Sequence, residues 1–319
     1  MFYQDHLAKA LQEQQHDFVH FCQIWREDAR DCARRLQDAL ASGVVADINN
    51  AALASGERKG PGALLSAEFE NLVSALVPFK ERWRSHEESR RWAIEVLRDR
   101  TTFAADGSQF LPGRDVSLPT AAVQIAFFEN PHASAGVYRK EARLFVVTPR
   151  ELLEGYGDAH WTAESVVGFR RFEEETRALA EFIEMQRGWG ARGEKAPIGF
   201  FDGTLLISYS GSRNPLQTKY IEAVVKLVRL SREAQVPVVG FIDQSYARDI
   251  VNFVCSLSTS VGGSSIYDAQ MLRAKGEGSD PLINSWGDRT AFFLCAREGL
   301  KDAFSDEHGE PLVGFIYLQ

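Results

Sequence analysis

The stretch Thr101-Thr-Phe-Ala-Ala-Asp106-Gly107-Ser-Gln109 carries the main signal for the fold. A short run suited to a buried strand leads into an acidic residue and a glycine, which is typical of a strand that stops at a turn. A second stretch, Gly199-Phe-Phe-Asp202-Gly-Thr-Leu205, repeats this pattern about a hundred residues later. We therefore expect two strands of one sheet, each ending at an aspartate.

Further strand-like runs surround these two stretches and alternate with helical patterns. The predicted strands are 121–128, 143–147, 198–201 with 205–209, 236–242, 291–295 and 313–318. The predicted helices between them are 163–187, 219–234 and 247–257. Strands that first cluster and then alternate with helices predict an α/β fold with a mixed sheet flanked by helices.

The first hundred residues are predicted to be helical. Apolar residues recur at steps of three, four or seven from Leu7 to Leu40, which is one stripe of a long helix. A loop rich in Gly, Ala and Ser follows at 49–64, and further helical patterns cover 67–77 and 87–100. We therefore divide the chain into an N-terminal helical region, 1–100, and a core, 101–319.

The composition is that of a globular protein, with 45% hydrophobic and 25% charged residues among 319. No apolar run is long enough for a membrane span and the start of the chain does not resemble a leader, so we expect a cytoplasmic protein. The four cysteines have neither zinc-site nor disulfide spacing and are expected to be reduced. Because the net charge is −8, binding of DNA would need local basic strips, metal ions or a partner.

Asp106 and Asp202 are the first candidates for chemistry. A carboxylate at a strand end, beside a glycine that lets a ligand approach the backbone, suits Mg²⁺ or Mn²⁺, which prefer oxygen donors. The alternative is that each Asp-Gly pair only forms a turn. Asp202-Gly-Thr also matches part of a phosphatase signature with an aspartyl nucleophile two residues earlier, but Phe200 occupies that place and cannot form an aspartyl-phosphate.

The predicted helix 163–187 contains Arg170-Arg171-Phe-Glu173-Glu174-Glu175. Consecutive helical residues point about 100° apart, so at most one or two of the three glutamates can face a metal. The alternative is a solvated helix face with Glu–Arg pairs.

Other acidic residues are weaker candidates. Asp243 follows the predicted strand 236–242 and is either a metal ligand or the N-cap of the next helix. Asp268 and Asp288 are explained equally well as loop caps or, for Asp288, as an ion pair with Arg289.

A basic strip precedes the Asp106 strand and is interleaved with Trp83 and Trp92. Its members are Lys80, Arg82, Arg84, Arg90, Arg91, Arg98 and Arg100. Such a strip can bind phosphates and stack bases, but five acidic residues lie within it, so a self-paired amphipathic helix is the alternative.

Taken in order, these motifs resemble the NurA nucleases, and the resemblance extends from Phe103 to the end of the chain. The motifs are Ala-Ala-Asp106-Gly-Ser-Gln, Arg171-x-x-x-Glu175, Asp202-Gly-Thr-Leu, Val-Val-Gly-Phe-Ile-Asp243 and Gly-Asp288-Arg-Thr-Ala-Phe-Phe. Asp-Gly-Ser-Gln is the most specific of them.

The resemblance implies an RNase H-like core in which Asp106, Glu175 and Asp202 are catalytic and bind Mn²⁺ or Mg²⁺. Position in Arg-x-x-x-Glu favours Glu175 as the helix ligand, with Glu174 as the alternative, and we add Asp243 as a further metal ligand. It also implies a deoxyribonuclease, acting as an exonuclease or single-strand endonuclease, that resects DNA ends in double-strand break repair. Its expected partners are DNA, a HerA-type hexameric translocase and a second copy in a homodimer.

One departure from the family pattern affects the expected activity. Members of the family carry a further C-terminal segment with an active-site histidine, whereas this sequence stops at Gln319 and His308 does not match that position. The alternative function is therefore a catalytically weak, partner-binding subunit of a translocase complex.

Overall fold

The computed structural model describes residues 4–55, 60–113, 117–134, 136–155, 161–206, 215–257, 265–275, 281–298 and 303–319. Contacts group the chain into two compact units. Unit 1 consists of Met1–Glu81 and Gln244–Gln319, and unit 2 consists of Arg82–Asp243. This grouping differs from a division at residue 100, because the N-terminal helices pack with the last quarter of the chain.

The elements follow one another along the chain in a mixed α/β order. They are α1 Gln4–Glu13, α2 Gln15–Ser42, α3 Val45–Ala54, β1 Gly62–Leu65, β2 Leu76–Val77, α4 His86–Leu97, β3 Thr102–Phe110, β4 Ala121–Asn130, β5 Arg139–Val147, α5 Pro149–Glu154, α6 Ala163–Gln186, β6 Ile198–Asp202, α7 Pro215–Ala234, β7 Val238–Phe241, α8 Asp249–Ser256, α9 Asp268–Leu272, β8 Arg289–Thr290, β9 Phe293–Ala296 and β10 Gly314–Phe315. The order confirms the predicted mixed α/β fold with an N-terminal helical region.

Unit 2 is built on a five-stranded sheet in the order β5-β4-β3-β6-β7. Strands β3, β4 and β5 form an antiparallel meander, and β6 and β7 run parallel to β3. Parallel neighbours require crossover connections, and α6 and α7 lie in the chain where these connections fall. The sheet is therefore mixed, as predicted.

One face of this sheet is covered by α6. In β4 the side chains of Ala121, Val123, Ile125 and Phe127 are buried, whereas the residues between them are more exposed. This period of two is the pattern of a strand that buries one face. Against it α6 packs its apolar stripe, and the rings of Phe182 and Phe103 stack with centroids 4.8 Å apart.

Unit 1 has its own hydrophobic core. A small antiparallel sheet in the order β1-β9-β10 packs with α8, α3 and α2 around Phe69, Phe253 and Phe293. The apolar stripe predicted from Leu7 to Leu40 falls on two helices, α1 and α2, separated at Gln14. Its C-terminal half is buried in this core, whereas its N-terminal half is exposed.

Some local predictions were wrong or lie outside the described residues. The helix predicted over 67–77 is only a 3-10 turn at Ala67–Asn71, followed by the two-residue strand β2. The strand predicted over 205–209 falls largely outside the described residues. The four cysteines form no disulfide, as expected. Among the helices that the structure describes, none is both long and apolar enough to cross a membrane.

Candidate active site

The register between β3 and β6 places two aspartates side by side. Ala105 pairs with Phe201 in the parallel ladder, so Asp106 and Asp202 follow at the same level on neighbouring strands. Ala105 and Phe201 are buried on the α6 side, whereas both aspartates are exposed on the opposite face. Neighbouring strands are about 4.8 Å apart, so the two carboxylates are close enough to share a ligand.

Gly107 creates the space that lets a third carboxylate approach. A Cβ atom at this position would overlap Glu175 Oε1 and lie 2.9 Å from Ile125 Cδ1. Instead, the backbone N–H of Gly107 donates a hydrogen bond to the Glu175 carboxylate. The absence of a side chain therefore allows Glu175, on α6, to lie against β3 next to Asp106.

The environment of Glu175 makes its ionised form unfavourable. Burial raises the pKa of Glu175 to about 7, the Arg171 guanidinium opposes this rise, and the negative charges of Asp106 and Asp202 add to it. Arg171 Nε lies 3.5 Å from Glu175 Oε1, yet this nitrogen is buried without an aligned hydrogen bond. The site is therefore a group of three interacting carboxylates that one nearby arginine only partly balances.

The two neighbouring glutamates on α6 have other partners. Glu174 is almost fully buried and pairs with Arg170 Nη2 and Arg177 Nη1, each at 2.9 Å. Glu173 is more exposed and pairs with Arg170 at 3.3 Å. Of the three consecutive glutamates, Glu175 is the one that the structure brings to Asp106, and the predicted Glu–Arg pairs are also present on the same helix.

Asp243 follows β7, the strand next to the one that ends at Asp202. It is exposed and follows Phe241, the last residue of β7, which pairs with Asp202 on β6. It is not the N-cap of the next helix, because α8 begins at Asp249 with Arg248 in the N-cap position. Asp243 therefore lies two residues beyond the C-terminal end of β7, the strand that neighbours Asp202.

Asp268 and Asp288 are structural residues of unit 1. The buried carboxylate of Asp268 accepts hydrogen bonds from the N–H groups of Ile250 and Val251 and from the Tyr317 hydroxyl. Burial raises the pKa of Asp268 to about 7. Asp288 accepts hydrogen bonds from two backbone N–H groups, while Arg289 pairs with Glu68, so Asp288 acts as a loop cap rather than as the partner of Arg289.

The basic strip falls partly on α4, a helix that buries no residue. Arg98 pairs with Glu95, which fits the self-paired alternative, and the rings of Trp83 and Trp92 lie 5.0 Å apart. His308 is exposed in unit 1, 3.5 Å from Glu307.

The donor set of the three carboxylates fits a divalent cation. All its atoms are the hard oxygen ligands that Mg²⁺ and Mn²⁺ prefer. Burial is the main cause of the raised pKa of Glu175, and the negative charges of Asp106 and Asp202 add to it, so a cation bound between these carboxylates would stabilise the ionised form. As placed, the described residues contain no group of three or more His, Cys, Asp or Glu at metal-binding distances. Closing this site around a cation would therefore require side-chain movement.

Two contributors to the site were not anticipated from the sequence. The glycine after Asp106 was expected to admit a ligand to the backbone, whereas in the structure it admits the Glu175 carboxylate. Arg171, one turn before Glu175, was noted only as part of a motif, although its positively charged guanidinium lies beside the Glu175 carboxylate. The spacing of four residues between them is the available sequence signal, because such residues are neighbours on a helix.

The comparisons with known proteins give one informative match. A search of curated proteins found no significant match. Among solved structures, the crystal structure of the protease–reverse transcriptase of prototype foamy virus aligns at 12% identity over 51% of this chain and 21% of that chain, with a TM-score of 0.23. This similarity is too low to carry an argument, and the chain spans only about a fifth of that protein's length.

The family model of the NurA domain matches residues 100–319. Because this match covers more than half of the sequence, the chain belongs to the NurA family, whose domain implies a nuclease in DNA end processing.

Proposed function

We propose that the protein is a metal-dependent deoxyribonuclease in which Asp106, Glu175 and Asp202 bind Mn²⁺ or Mg²⁺ and form the catalytic site. The observation that carries this proposal is the approach of Glu175, through the space at Gly107, to two exposed aspartates on neighbouring strands. Family membership supports the nuclease reaction, and the chemistry of the three side chains supports the metal. Asp243, one strand away, is a further ligand in this proposal.

The residues of the site have separate tasks. Asp106 and Asp202 face solvent on the open side of the sheet, where a phosphodiester group can reach them. Glu175 approaches from the α6 side and is held by the Gly107 N–H and by Arg171. A bound Mn²⁺ or Mg²⁺ would supply Lewis-acid chemistry, activating water and neutralising charge on the scissile phosphate.

The test is cleavage of end-labelled linear DNA with Mn²⁺, Mg²⁺ or EDTA. We expect wild-type protein to degrade DNA with a metal and not with EDTA, and Asp106→Asn to abolish degradation. Asp99→Asn is the matched control, because Asp99 is exposed in the same unit and has a positive φ that asparagine tolerates. No degradation by wild-type protein with either metal would contradict the proposal.

Partners are a second part of the proposal. We propose that the protein resects DNA ends alongside a HerA-type hexameric translocase, as a homodimer. Support comes from exposed apolar side chains along α1 and the first turns of α2, which a partner would cover: Leu7, Leu11, Phe18, Phe21 and Ile24. The same surface fits the alternative, a partner-binding subunit with weak activity. Sedimentation of the protein alone and with a HerA-type translocase tests both associations, and a monomer that does not bind the translocase would contradict them.

A further inference from the structure

The face of the unit 2 sheet opposite α6 is open and largely apolar. Among the described residues of unit 2, no helix packs across it, and its side chains are exposed on all five strands. Its exposed large apolar residues are Phe110, Phe128, Leu144, Val146, Phe200, Val239 and Phe241. Exposed apolar residues that lie together on one face are typical of a site for a ligand or a partner.

The sequence of β5 also indicates that the open face is covered. Leu144-Phe145-Val146-Val147 is a continuous apolar run, which is typical of a strand covered on both faces. In the structure only one face of this strand is covered, because Leu144 and Val146 point away from α6 and are more than half exposed. The pattern therefore predicts an occupant for the open face.

Aromatic rings flank the exposed aspartates on this face. Phe200 lies two residues before Asp202 on β6 and points to the same side, and Phe241 pairs with Asp202 across the β6–β7 ladder. Both rings are exposed, Phe200 by 40% and Phe241 by 62%. Asp202 thus has one exposed ring along its own strand and another beside it on the next strand.

A shallow trough extends from the aspartates across the meander. Its floor contains the small side chains of Ala104, Ala126 and Ala142. Ala126 pairs with Asp106 on one side and with Ala142 on the other, whereas Ala104 pairs with Phe128. At its far side Lys140 Nζ lies 5.3 Å from the centroid of the Phe128 ring. The trough, with Asp106 and Asp202 in its lining, encloses about 800 Å³.

We propose that this face binds the unpaired nucleotides of the DNA strand beside the scissile phosphate, with bases stacked on Phe200 and Phe241 and a backbone phosphate near Lys140. The inference rests on the proposed nuclease function. Nucleobases have aromatic faces that stack on exposed phenyl rings, and the Lys140 charge complements a phosphate. In a duplex the base faces are hidden in the stack, so these rings distinguish an unpaired strand from a paired one.

The test is the affinity of fluorescently labelled oligonucleotides, measured by anisotropy in EDTA so that cleavage does not intervene. We expect wild-type protein to bind a single strand more tightly than a duplex of equal length. Phe200→Ala and Phe241→Ala should each weaken single-strand binding about tenfold and leave duplex binding unchanged, since each stacked base contributes roughly 1–3 kcal/mol. Phe241→Tyr keeps an aromatic ring and should keep the affinity.

Leu153→Ala is the matched control, because Leu153 is an exposed apolar residue of α5 in the same unit. Circular dichroism of each variant checks that the fold is retained. Unchanged single-strand affinity in both alanine variants would overturn the proposal, and so would equal losses for single strand and duplex. A change from dimer to monomer with unchanged DNA affinity would also overturn it and assign the face to a second copy.

The outcome is separable from that of the proposed function. If loss of the rings weakens single-strand binding but wild-type protein shows no metal-dependent cleavage, the stacking face stands and the nuclease proposal fails. If cleavage is metal-dependent but loss of the rings does not weaken single-strand binding, the nuclease proposal stands and the stacking proposal fails.

Discussion

Replacing Glu175 with glutamine should stabilise the metal-free protein at neutral and alkaline pH. An ordinary glutamate has a pKa near 4.5, and burial beside Asp106 and Asp202 raises that of Glu175 to about 7. Since one pKa unit corresponds to about 1.4 kcal/mol, keeping this carboxylate ionised costs the folded protein roughly 3 kcal/mol. Glutamine has nearly the same shape without the charge, so Glu175→Gln should recover on the order of 1–3 kcal/mol.

The pH dependence of this gain has a defined direction. Between about pH 4.5 and 7 the folded protein holds a proton on Glu175 that the unfolded chain has lost. The free energy of unfolding of the wild type therefore falls as the pH rises through this window and levels off above it. The difference between Glu175→Gln and wild type should be near zero below pH 4.5 and largest above pH 7. Asp268, whose pKa is also raised to about 7, contributes equally to both proteins and cancels.

Urea denaturation in EDTA at a series of pH values measures this difference. Glu173→Gln is the control, because Glu173 lies on the same helix but is partly exposed and pairs with Arg170. We expect the free energy of unfolding of Glu173→Gln not to exceed that of the wild type. A Glu175→Gln protein that is equally or less stable than wild type at pH 8 would refute the conclusion that this carboxylate is buried beside uncompensated negative charge.

Two further substitutions test other parts of the structure. Gly107→Ala should displace the Glu175 carboxylate, abolishing metal-dependent cleavage while lowering stability by about 1–3 kcal/mol, because the added Cβ would also meet Arg171 Cγ and the buried Ile125 side chain. Gly190→Ala, which meets nothing within 4 Å, is its control, and an active Gly107→Ala protein would contradict the role of this glycine. Arg297→Met leaves the buried Asp249 carboxylate without the guanidinium that donates two hydrogen bonds to it, and should cost about 3–5 kcal/mol in urea denaturation. A loss below about 1 kcal/mol would show that this pair is not buried as described.

The central sheet was predictable because its strands are long and periodic. Residues 121–128 alternate between buried and exposed positions, and both candidate aspartates follow short apolar runs. Both aspartates were therefore identified before their register was known. The turn predicted at Asp106-Gly107 was wrong, because β3 continues through both residues to Phe110, whereas β6 ends at Asp202 as predicted. Which of three consecutive glutamates faces the sheet depends on the packing of α6, so the helical pattern alone left Glu174 and Glu175 as alternatives.

The grouping into two units was not predictable from local pattern. Strand β1 pairs with β9, so that Gly62 lies opposite Ala296, and β2 pairs with β8 over two residues only. Such short strands show no periodicity, and their partners are more than two hundred residues away in sequence. The helix predicted over 67–77 failed for the same reason, because contacts within unit 1 outweigh the local preference there.

Binding of Mn²⁺, measured from the electron paramagnetic resonance signal of the free ion, tests the central claim that Glu175 acts with Asp106 and Asp202 as one metal site. We predict that wild-type protein and Glu173→Gln bind Mn²⁺ equally, whereas Glu175→Gln binds it at least about tenfold more weakly. Equal binding by Glu175→Gln and wild type would contradict the account, because the space at Gly107 would then bring Glu175 to the aspartates without making it a ligand.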